Sequence, residues 1–206
     1  MEQLLITAAD GFSGLGYWIE RNALRKALFV CRGSRWHQDT IRMIHAKLKE
    51  YGIHSVFFSD FQPNPLYENV VKGVEKFRRE ECNAIIALGG GSAIDVAKCV
   101  KLFSPMDGAG EDGSYLGQSF SSTTIPFLAI PTTAGSGSEA TRFAVIYYKG
   151  KKQSITSDCC VPDAVLLDPG VLHSLPDYQK KASMMDALCH GIESFWSVNS
   201  TDESRM

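Results

Sequence analysis

The sequence predicts an α/β fold, a parallel sheet with flanking helices, and two patterns support this prediction. The first is a series of short apolar runs, typical of strands that are buried on both faces of a parallel sheet. The second is the presence of helical segments between most of these runs, which implies right-handed crossover connections. The predicted strands are Ala27–Cys31, Val56–Phe58, Ala84–Leu88, Phe127–Ile130 and Ala164–Asp168.

Helices are predicted where apolar residues recur at a spacing of three or four. This spacing indicates helices around residues 41–48, 70–77, from Ala93 onward, and from Pro176 to about Val198. Pro176 is expected at the first helical position, where its missing N–H costs nothing. Three other segments are assigned by composition: a surface turn at Gly11–Gly16, a surface loop at Ser104–Thr124, and a β-hairpin that pairs Phe143–Tyr148 with Lys152–Thr156.

Composition excludes several classes of function. The 206 residues carry a net charge of −2, which argues against a nucleic-acid partner. No apolar run reaches the roughly 18 residues that a membrane span needs, and the first residues lack the basic region of a signal peptide. The six cysteines form no CxxC pair, so we expect reduced thiols and a cytoplasmic protein.

A glycine-rich segment follows the third predicted strand. Gly89, Gly90, Gly91 and Ser92 connect that strand to a predicted helix. Glycine allows the backbone to approach a ligand closely, and the start of a helix offers free N–H groups to a phosphate. The spacing matches neither a P-loop nor a complete G-x-G-x-x-G motif. Phosphate binding and a simple packing turn therefore both remain possible, and the chemistry favours phosphate binding.

A second loop of this kind, Pro131–Glu139, follows the next strand. It contains the hydroxyls of Thr132, Thr133 and Ser136, and each of them taken alone is more simply explained as a helix cap. Two such loops at the carboxyl ends of neighbouring strands nevertheless favour a ligand crevice between them.

Asp186 and His190 are four residues apart in the last predicted helix, so they share one face. A carboxylate and an imidazole at this spacing can chelate one divalent metal, either Fe2+ or Zn2+. A helix ion pair also explains the spacing, and two ligands do not complete a catalytic zinc site, which normally has three protein ligands. The spacing alone therefore favours the ion pair.

Taken together, the three motifs resemble the iron-containing (group III) alcohol dehydrogenases. They are Gly89–Lys98, Pro131–Glu139 and Asp186–His190, in the order of that family. The resemblance implies a Rossmann-like dinucleotide-binding domain over residues 1–175. Residues 176–206 would then be the first helix of an all-α metal-binding domain that is otherwise missing, so this helix would lack most of its packing partners. A nicotinamide cofactor, a divalent metal and a small alcohol or aldehyde would meet between the two domains.

The resemblance also assigns roles by position. It implies that Asp186 and His190 are the first two of four metal ligands, Fe2+ or Zn2+. It implies cofactor contacts at Gly89, Gly90, Gly91, Ser92, Asp95, Asn64, Thr132, Thr133, Ser136, Lys152 and Ser34. Ser34 lies between Arg32 and Arg35, where NAD-dependent members usually carry an aspartate. Because two arginines would attract a 2′-phosphate, we expect NADPH to be preferred over NADH.

Two segments are similar to the phosphonoacetaldehyde reductase branch of the family. They are Ser138–Tyr147 and Ser194–Ser200. This similarity implies a small anionic aldehyde as substrate, with reduction of phosphonoacetaldehyde to 2-hydroxyethylphosphonate as one possibility. Arg142 is the candidate for binding the anion, because a guanidinium matches phosphonate or sulfonate oxygens. A solvated surface arginine is an equally good explanation.

The family's remaining metal-ligand histidines would follow residue 206, so the sequence is expected to represent about the N-terminal half of such an enzyme, itself expected to be a homo-oligomer. Two other interpretations stay open. One is an NAD(P)-binding module without catalysis. The other is a zinc-dependent relative of the glycerol dehydrogenase or dehydroquinate synthase type.

Overall fold

A computed structural model describes residues 3–7, 13–33, 38–120, 122–173 and 175–205. Its strands are β1 Leu4–Thr7, β2 Lys26–Cys31, β3 His54–Phe58, β4 Ala84–Gly89, β5 Phe127–Pro131, β6 Phe143–Tyr148, β7 Lys151–Thr156 and β8 Ala164–Leu167. Its α-helices are α1 Ser13–Arg21, α2 Gln38–Glu50, α3 Tyr67–Arg79, α4 Gly91–Phe103, α5 Gly170–His173 and α6 Asp177–Trp196. Short 3-10 helices occupy Glu111–Gly117, Ser138–Ala140, Asp158–Cys160 and Glu203–Arg205.

Six strands form one parallel sheet in the order β1-β8-β5-β4-β2-β3, which confirms the predicted fold class. Strands β4 and β5 are neighbours, and Gly89 pairs with Pro131 at their carboxyl ends. The two glycine-containing loops therefore leave the same edge of the sheet from adjacent strands, which is where open α/β sheets bind ligands.

Alternate residues of the central strands point into two separate cores. In β4, Ile85 and Ala87 belong to the core beneath α3 and α4, whereas Ile86 and Leu88 belong to the core on the opposite face. All four are fully or almost fully buried. This two-sided burial explains why the strands are continuous apolar runs rather than alternating ones.

The predicted surface turn at Gly11–Gly16 is wrong in its described part. Helix α1 begins at Ser13, and the chain before it forms edge strand β1, whose Ile6 is buried. The remainder of the predicted turn falls within residues 8–12, which lie outside the described ranges. Because β1 is only four residues long and exposes Leu5, it carries too weak an apolar pattern to be recognised.

The predicted surface loop at Ser104–Thr124 is wrong in part. It contains the 3-10 helix Glu111–Gly117, whose Tyr115 ring is fully buried and lies 5.2 Å from the Phe103 ring centroid. Tyr67 and Arg78 of α3 hold this segment. The Tyr67 hydroxyl donates to the Gly110 carbonyl at 2.7 Å, and Arg78 donates to the Gly108 carbonyl at 2.8 Å. The sequence did not indicate this structure, because a single aromatic residue in a polar segment gives no hydrophobic periodicity.

Two helix starts differ slightly from the prediction. Helix α4 begins at Gly91 rather than at Ala93, and Pro176 is the N-cap of α6 rather than its first helical residue. The antiparallel β6–β7 pair confirms the predicted hairpin.

Helix α6 has no buried residue. Met184, Phe195 and Trp196 are more than half exposed. Within the described ranges, no helix combines the length and the apolar character that crossing a membrane requires.

Candidate functional site

A cleft of about 580 Å3 opens at the carboxyl ends of β2, β4 and β5. Helix α6 covers one side of it. The cleft contains seven of the residues predicted to bind cofactor, Gly89, Gly90, Gly91, Ser92, Thr132, Thr133 and Ser136, together with Asp186. It is also lined by Cys31, Arg32, Gly33, Ile41, Phe61, Pro63, Leu88, Ala93, Gln179, Ala182 and Ser183.

The glycine segment leads directly from β4 into α4. Gly90 is the N-cap in an extended conformation, and no side chain among the described residues caps the helix there. The N–H groups of Ala93 and Ile94 donate to the Gly90 carbonyl. The first-turn N–H groups of Gly91 and Ser92 have no partner within the helix, so they can donate to an anionic ligand in the cleft.

The second loop packs closely against two of these glycines. A Cβ on Gly90 would lie 3.2 Å from the Thr133 Oγ1, and one on Gly91 would lie 3.1 Å from the Ser136 Oγ. At Gly89 a Cβ would lie 2.6 Å from the Ala93 Cβ. The glycines therefore bring backbone N–H groups and two hydroxyls to one wall of the cleft.

Asp95 does not line the cleft, although the family resemblance made it a cofactor contact. Its Oδ1 accepts a 2.7 Å hydrogen bond from the Ser138 hydroxyl, and its Oδ2 accepts from the Val145 N–H at 3.2 Å. Burial raises the pKa of Asp95, and these two hydrogen bonds oppose the rise. The Asp95 carboxylate thus accepts hydrogen bonds from two donors of the protein itself.

Two other predicted contacts lie apart from the cleft lining. Asn64 is exposed and next to the lining residue Pro63, and Lys152 is exposed on β7. A third, Ser34, lies outside the described residues together with Arg35. Arg32, which precedes them, does line the cleft.

Arg142 is also not among the residues that line the cleft. It is exposed, its guanidinium donates to the Asp158 carboxylate at 3.2 Å, and it lies over the Phe143 ring. This pairing corresponds to the surface arginine that the sequence left as the alternative.

Asp186 and His190 face each other on α6. The His190 Nε2 is 3.8 Å from the Asp186 Oδ1, and each side chain is about half exposed. A carboxylate oxygen and an imidazole nitrogen fit part of a divalent-metal site. Over the described ranges, no set of three or more His, Cys, Asp or Glu residues could hold a metal ion. A catalytic metal site needs three or more protein ligands, so this pair alone would not complete one.

Sequence reasoning missed Gln179 and Ser183, which line the cleft from α6. They precede Asp186 by seven and three residues, so all three lie on one helix face, and this spacing could have identified them. At Ser183 the second loop meets the helix, because a Cβ on Gly135 would lie 2.7 Å from the Ser183 carbonyl oxygen. This contact brings the face that carries Asp186 to the glycine wall.

Comparison with known proteins identifies the family. Residues 5–169 match the family described as iron-containing alcohol dehydrogenase. The chain is 36% identical over 157 residues to alcohol dehydrogenase 4 of Schizosaccharomyces pombe, covering 75% of this chain and 37% of that protein. It is 31% identical over 190 residues to the NAD-dependent methanol dehydrogenase of Bacillus methanolicus, covering 91% and 49%.

A solved structure shows the same fold. The sulfoacetaldehyde reductase of Bifidobacterium kashiwanohense in complex with NAD+ superposes with a TM-score of 0.81 and 29% identity, covering 95% of this chain and 52% of that one. The chain belongs to the iron-containing alcohol dehydrogenase family. It spans about half the length, or less, of these relatives.

Proposed function

We propose that the protein to which this chain belongs transfers a hydride between a nicotinamide dinucleotide and a small alcohol or aldehyde. One observation carries the proposal: the uncapped first turn of α4 and the Asp186 carboxylate line the same cleft. N–H groups that could bind an anion and a candidate metal ligand thus line a single cavity. The names of two relatives, an NAD-dependent methanol dehydrogenase and a reductase solved with NAD+, support the same reaction class.

The residues of the chain divide the work. The Gly91 and Ser92 N–H groups would bind the pyrophosphate, and the hydroxyls of Thr133 and Ser136 would orient it from the opposite loop. Asp186 and His190 would hold part of a divalent-metal site. When bound, such a metal supplies Lewis-acid polarisation of the substrate oxygen. Helix α6 would hold Asp186 at the cleft that the Gly91 and Ser92 N–H groups also line.

The cofactor proposal is tested by titrating the 206-residue chain with NADH and NADPH and following nicotinamide fluorescence. Saturable binding that ADP-ribose reverses is the expected result, and no binding refutes the proposal. Oxidation of the reduced cofactor by propanal, measured on the complete protein with Fe2+ or Zn2+ added, then tests hydride transfer. Asp186→Ala should abolish turnover but Asp177→Asn, on the same helix and away from the cleft, should not. Binding without turnover in the complete protein would support the non-catalytic module instead.

We infer that NADPH is the preferred cofactor. Arg32 lines the cleft at the end of β2, and neither of its described neighbours Cys31 and Gly33 is a carboxylate. Arg32 would attract the 2′-phosphate of NADPH, whereas a carboxylate there would repel it. Arg32→Ala should therefore weaken NADPH binding more than NADH binding. Tighter binding of NADH than of NADPH by the unchanged chain would contradict the inference.

We propose an anionic aldehyde, such as phosphonoacetaldehyde, as the substrate class. The similarity to a sulfoacetaldehyde reductase favours it, since the substrate in that protein's name carries a sulfonate. Arg142 is the candidate for binding the anion, for which it would have to leave Asp158. Arg142→Ala should then raise KM for phosphonoacetaldehyde and leave KM for propanal unchanged. Equal effects on both aldehydes would remove Arg142 from the proposal.

A further inference from the structure

Two polar residues on α4, Asp95 and Lys98, reach the segment that follows the second loop. Asp95 accepts hydrogen bonds from Ser138 and Val145. The Lys98 ammonium is fully buried and donates to the carbonyl oxygens of Thr141 at 2.8 Å and Phe143 at 2.7 Å. A buried charge is tolerated only when it is hydrogen-bonded in this way. The helix whose N-terminus lines the cleft therefore also holds residues 138–145.

A short series of contacts leads from Asp95 to the wall of the cleft. The Asp95 carboxylate holds the Ser138 hydroxyl, and the Ser138 N–H donates to the Ser136 hydroxyl at 3.4 Å. The Ser136 side chain lies against Gly91. Because Ser136 and Gly91 both line the cleft, a shift of Ser138 would be transmitted to the residues that a ligand would touch.

Both oxygens of Asp95 are already used by protein donors. One accepts from Ser138 and the other from Val145, 43 and 50 residues further along the chain. The residue is also not among those that line the cleft. The two charge-assisted hydrogen bonds orient the Asp95 carboxylate towards Ser138 and Val145.

We propose that Asp95 is a positioning residue, which holds Ser138 and thereby sets Ser136 against Gly91 in the dinucleotide cleft. The inference rests on the proposed function, because it assigns Asp95 a role in cofactor affinity without contact to the cofactor. Lys98 has a different task, since its ammonium anchors Thr141 and Phe143 on the far side of Ser138.

A double-mutant cycle tests this route, with NADPH affinity as the readout. Asp95→Ala and Ser138→Ala should each weaken NADPH binding by about tenfold, as the loss of one charge-assisted hydrogen bond implies. The double variant should bind about as weakly as either single variant, because both remove the same link. If Asp95 touched the cofactor directly, the two effects would multiply to about a hundredfold, which would overturn the proposal.

The conservative variant Asp95→Asn separates positioning from charge. Its amide oxygen can still accept from Ser138, so NADPH affinity should stay within about threefold of the unchanged chain. Its NH2 group would face the Val145 N–H, so the melting temperature should fall. An affinity loss as large as that of Asp95→Ala would instead indicate that the charge itself acts on the cofactor, and would refute positioning.

Asp163→Ala is the matched control for lost stability. Asp163 accepts from the Phe127 N–H at 2.7 Å and from Lys101 of α4 at 3.2 Å, at the edge of the sheet opposite the cleft. This variant should lower the melting temperature and leave NADPH affinity within about twofold. If it weakens binding as much as Asp95→Ala does, then general destabilisation explains both and the proposal fails.

Hydrogen exchange distinguishes failure of this inference from failure of the proposed function. In Asp95→Ala, amide exchange over residues 132–138 should become at least about fivefold faster than in the unchanged chain. Absence of NADPH binding by the unchanged chain would refute the proposed function. The exchange measurement would then still show whether Asp95 holds Ser138 in place. Unchanged exchange over this segment would refute the positioning role whatever the cofactor.

Discussion

Gly91→Ala should weaken dinucleotide binding without destabilising the fold. Gly91 is the first residue of α4, where alanine is intrinsically favoured over glycine by up to about 1 kcal/mol. The new Cβ would lie 3.1 Å from the Ser136 Oγ and 3.3 Å from its Cβ, so the serine must move by a few tenths of an ångström. These effects oppose each other, and the free energy of unfolding should change by less than about 1 kcal/mol.

The binding loss has a separate cause. The added methyl group lies between the Gly91 backbone and Ser136, where an oxygen of the pyrophosphate must approach the N–H groups. We expect NADPH affinity to fall at least about tenfold, which corresponds to about 1.4 kcal/mol. Affinity is measured by fluorescence titration and stability by urea unfolding of the same preparations.

Gly117→Ala is the control, because a Cβ there meets no atom within 4 Å and Gly117 is not a cleft residue. It should bind NADPH as the unchanged chain does. Unchanged NADPH affinity in Gly91→Ala would refute the assignment of this segment as the pyrophosphate cradle. A large loss of stability in Gly91→Ala would show that the contact with Ser136 costs more than the helix propensity of alanine gains.

Three further predictions concern stability, pH and the metal ligands. Arg78→Met should lower the free energy of unfolding in urea by about 2–4 kcal/mol, because Arg78 donates to the carbonyls of Phe103, Ser104, Met106 and Gly108 and to the Tyr115 hydroxyl. Arg79→Met should change the free energy of unfolding by less than about 0.5 kcal/mol, because Arg79 is exposed and its 3.6 Å ion pair with Glu80 lies at the surface. Equal losses in the two variants would contradict the view that Arg78 holds the Glu111–Gly117 segment. Burial raises the pKa of Cys160 from 9.0 to about 11. The folded protein keeps this thiol protonated, so the contribution of Cys160 to stability is complete below the unfolded-state pKa of 9.0 and is lost as the pH rises towards the folded-state pKa of about 11. The loss amounts to about 1.4 kcal/mol at about pH 10. Cys160→Ala should make this alkaline loss smaller in urea titrations between about pH 8 and pH 10, and an unchanged slope would exclude the thiol as its cause. His190→Ala should reduce bound metal and turnover while NADPH affinity stays within about twofold, because His190 is not a cleft-lining residue. Metal analysis checks the loss of metal, and fluorescence titration checks the NADPH affinity. Loss of both metal and NADPH affinity would contradict the prediction.

The fold was predictable because its strands are buried on both faces. Each central strand must be apolar at every position, so runs such as Ala84–Leu88 are visible without any knowledge of their neighbours. The same reason explains the failures. Edge strand β1 buries only Ile6, and the segment around Tyr115 buries one ring in a polar context.

The candidate site was predictable where it depends on backbone. Glycines after a strand and before a helix indicate close approach whatever lies opposite, and Gly89–Ser92 all line the cleft. Helical spacing similarly placed Asp186 and His190 on one face. The resemblance assigned roles to Asn64, Asp95, Lys152 and Arg142 by position alone, without information on what each side chain contacts. None of the four lines the cleft.

Order along the chain was thus enough to establish the α/β architecture, the two loops and the i, i+4 pair, because these follow from periodicity and from backbone freedom within a few residues. Whether a polar group faces a ligand or another part of the protein depends on partners far away in the chain. Asp95 meets Ser138 across 43 residues, and Gly135 meets Ser183 on a different element. Such contacts form only when the sheet brings both segments to one edge, so packing decided that Asp95 binds Ser138 and Val145 and that Asp186 lines the cleft.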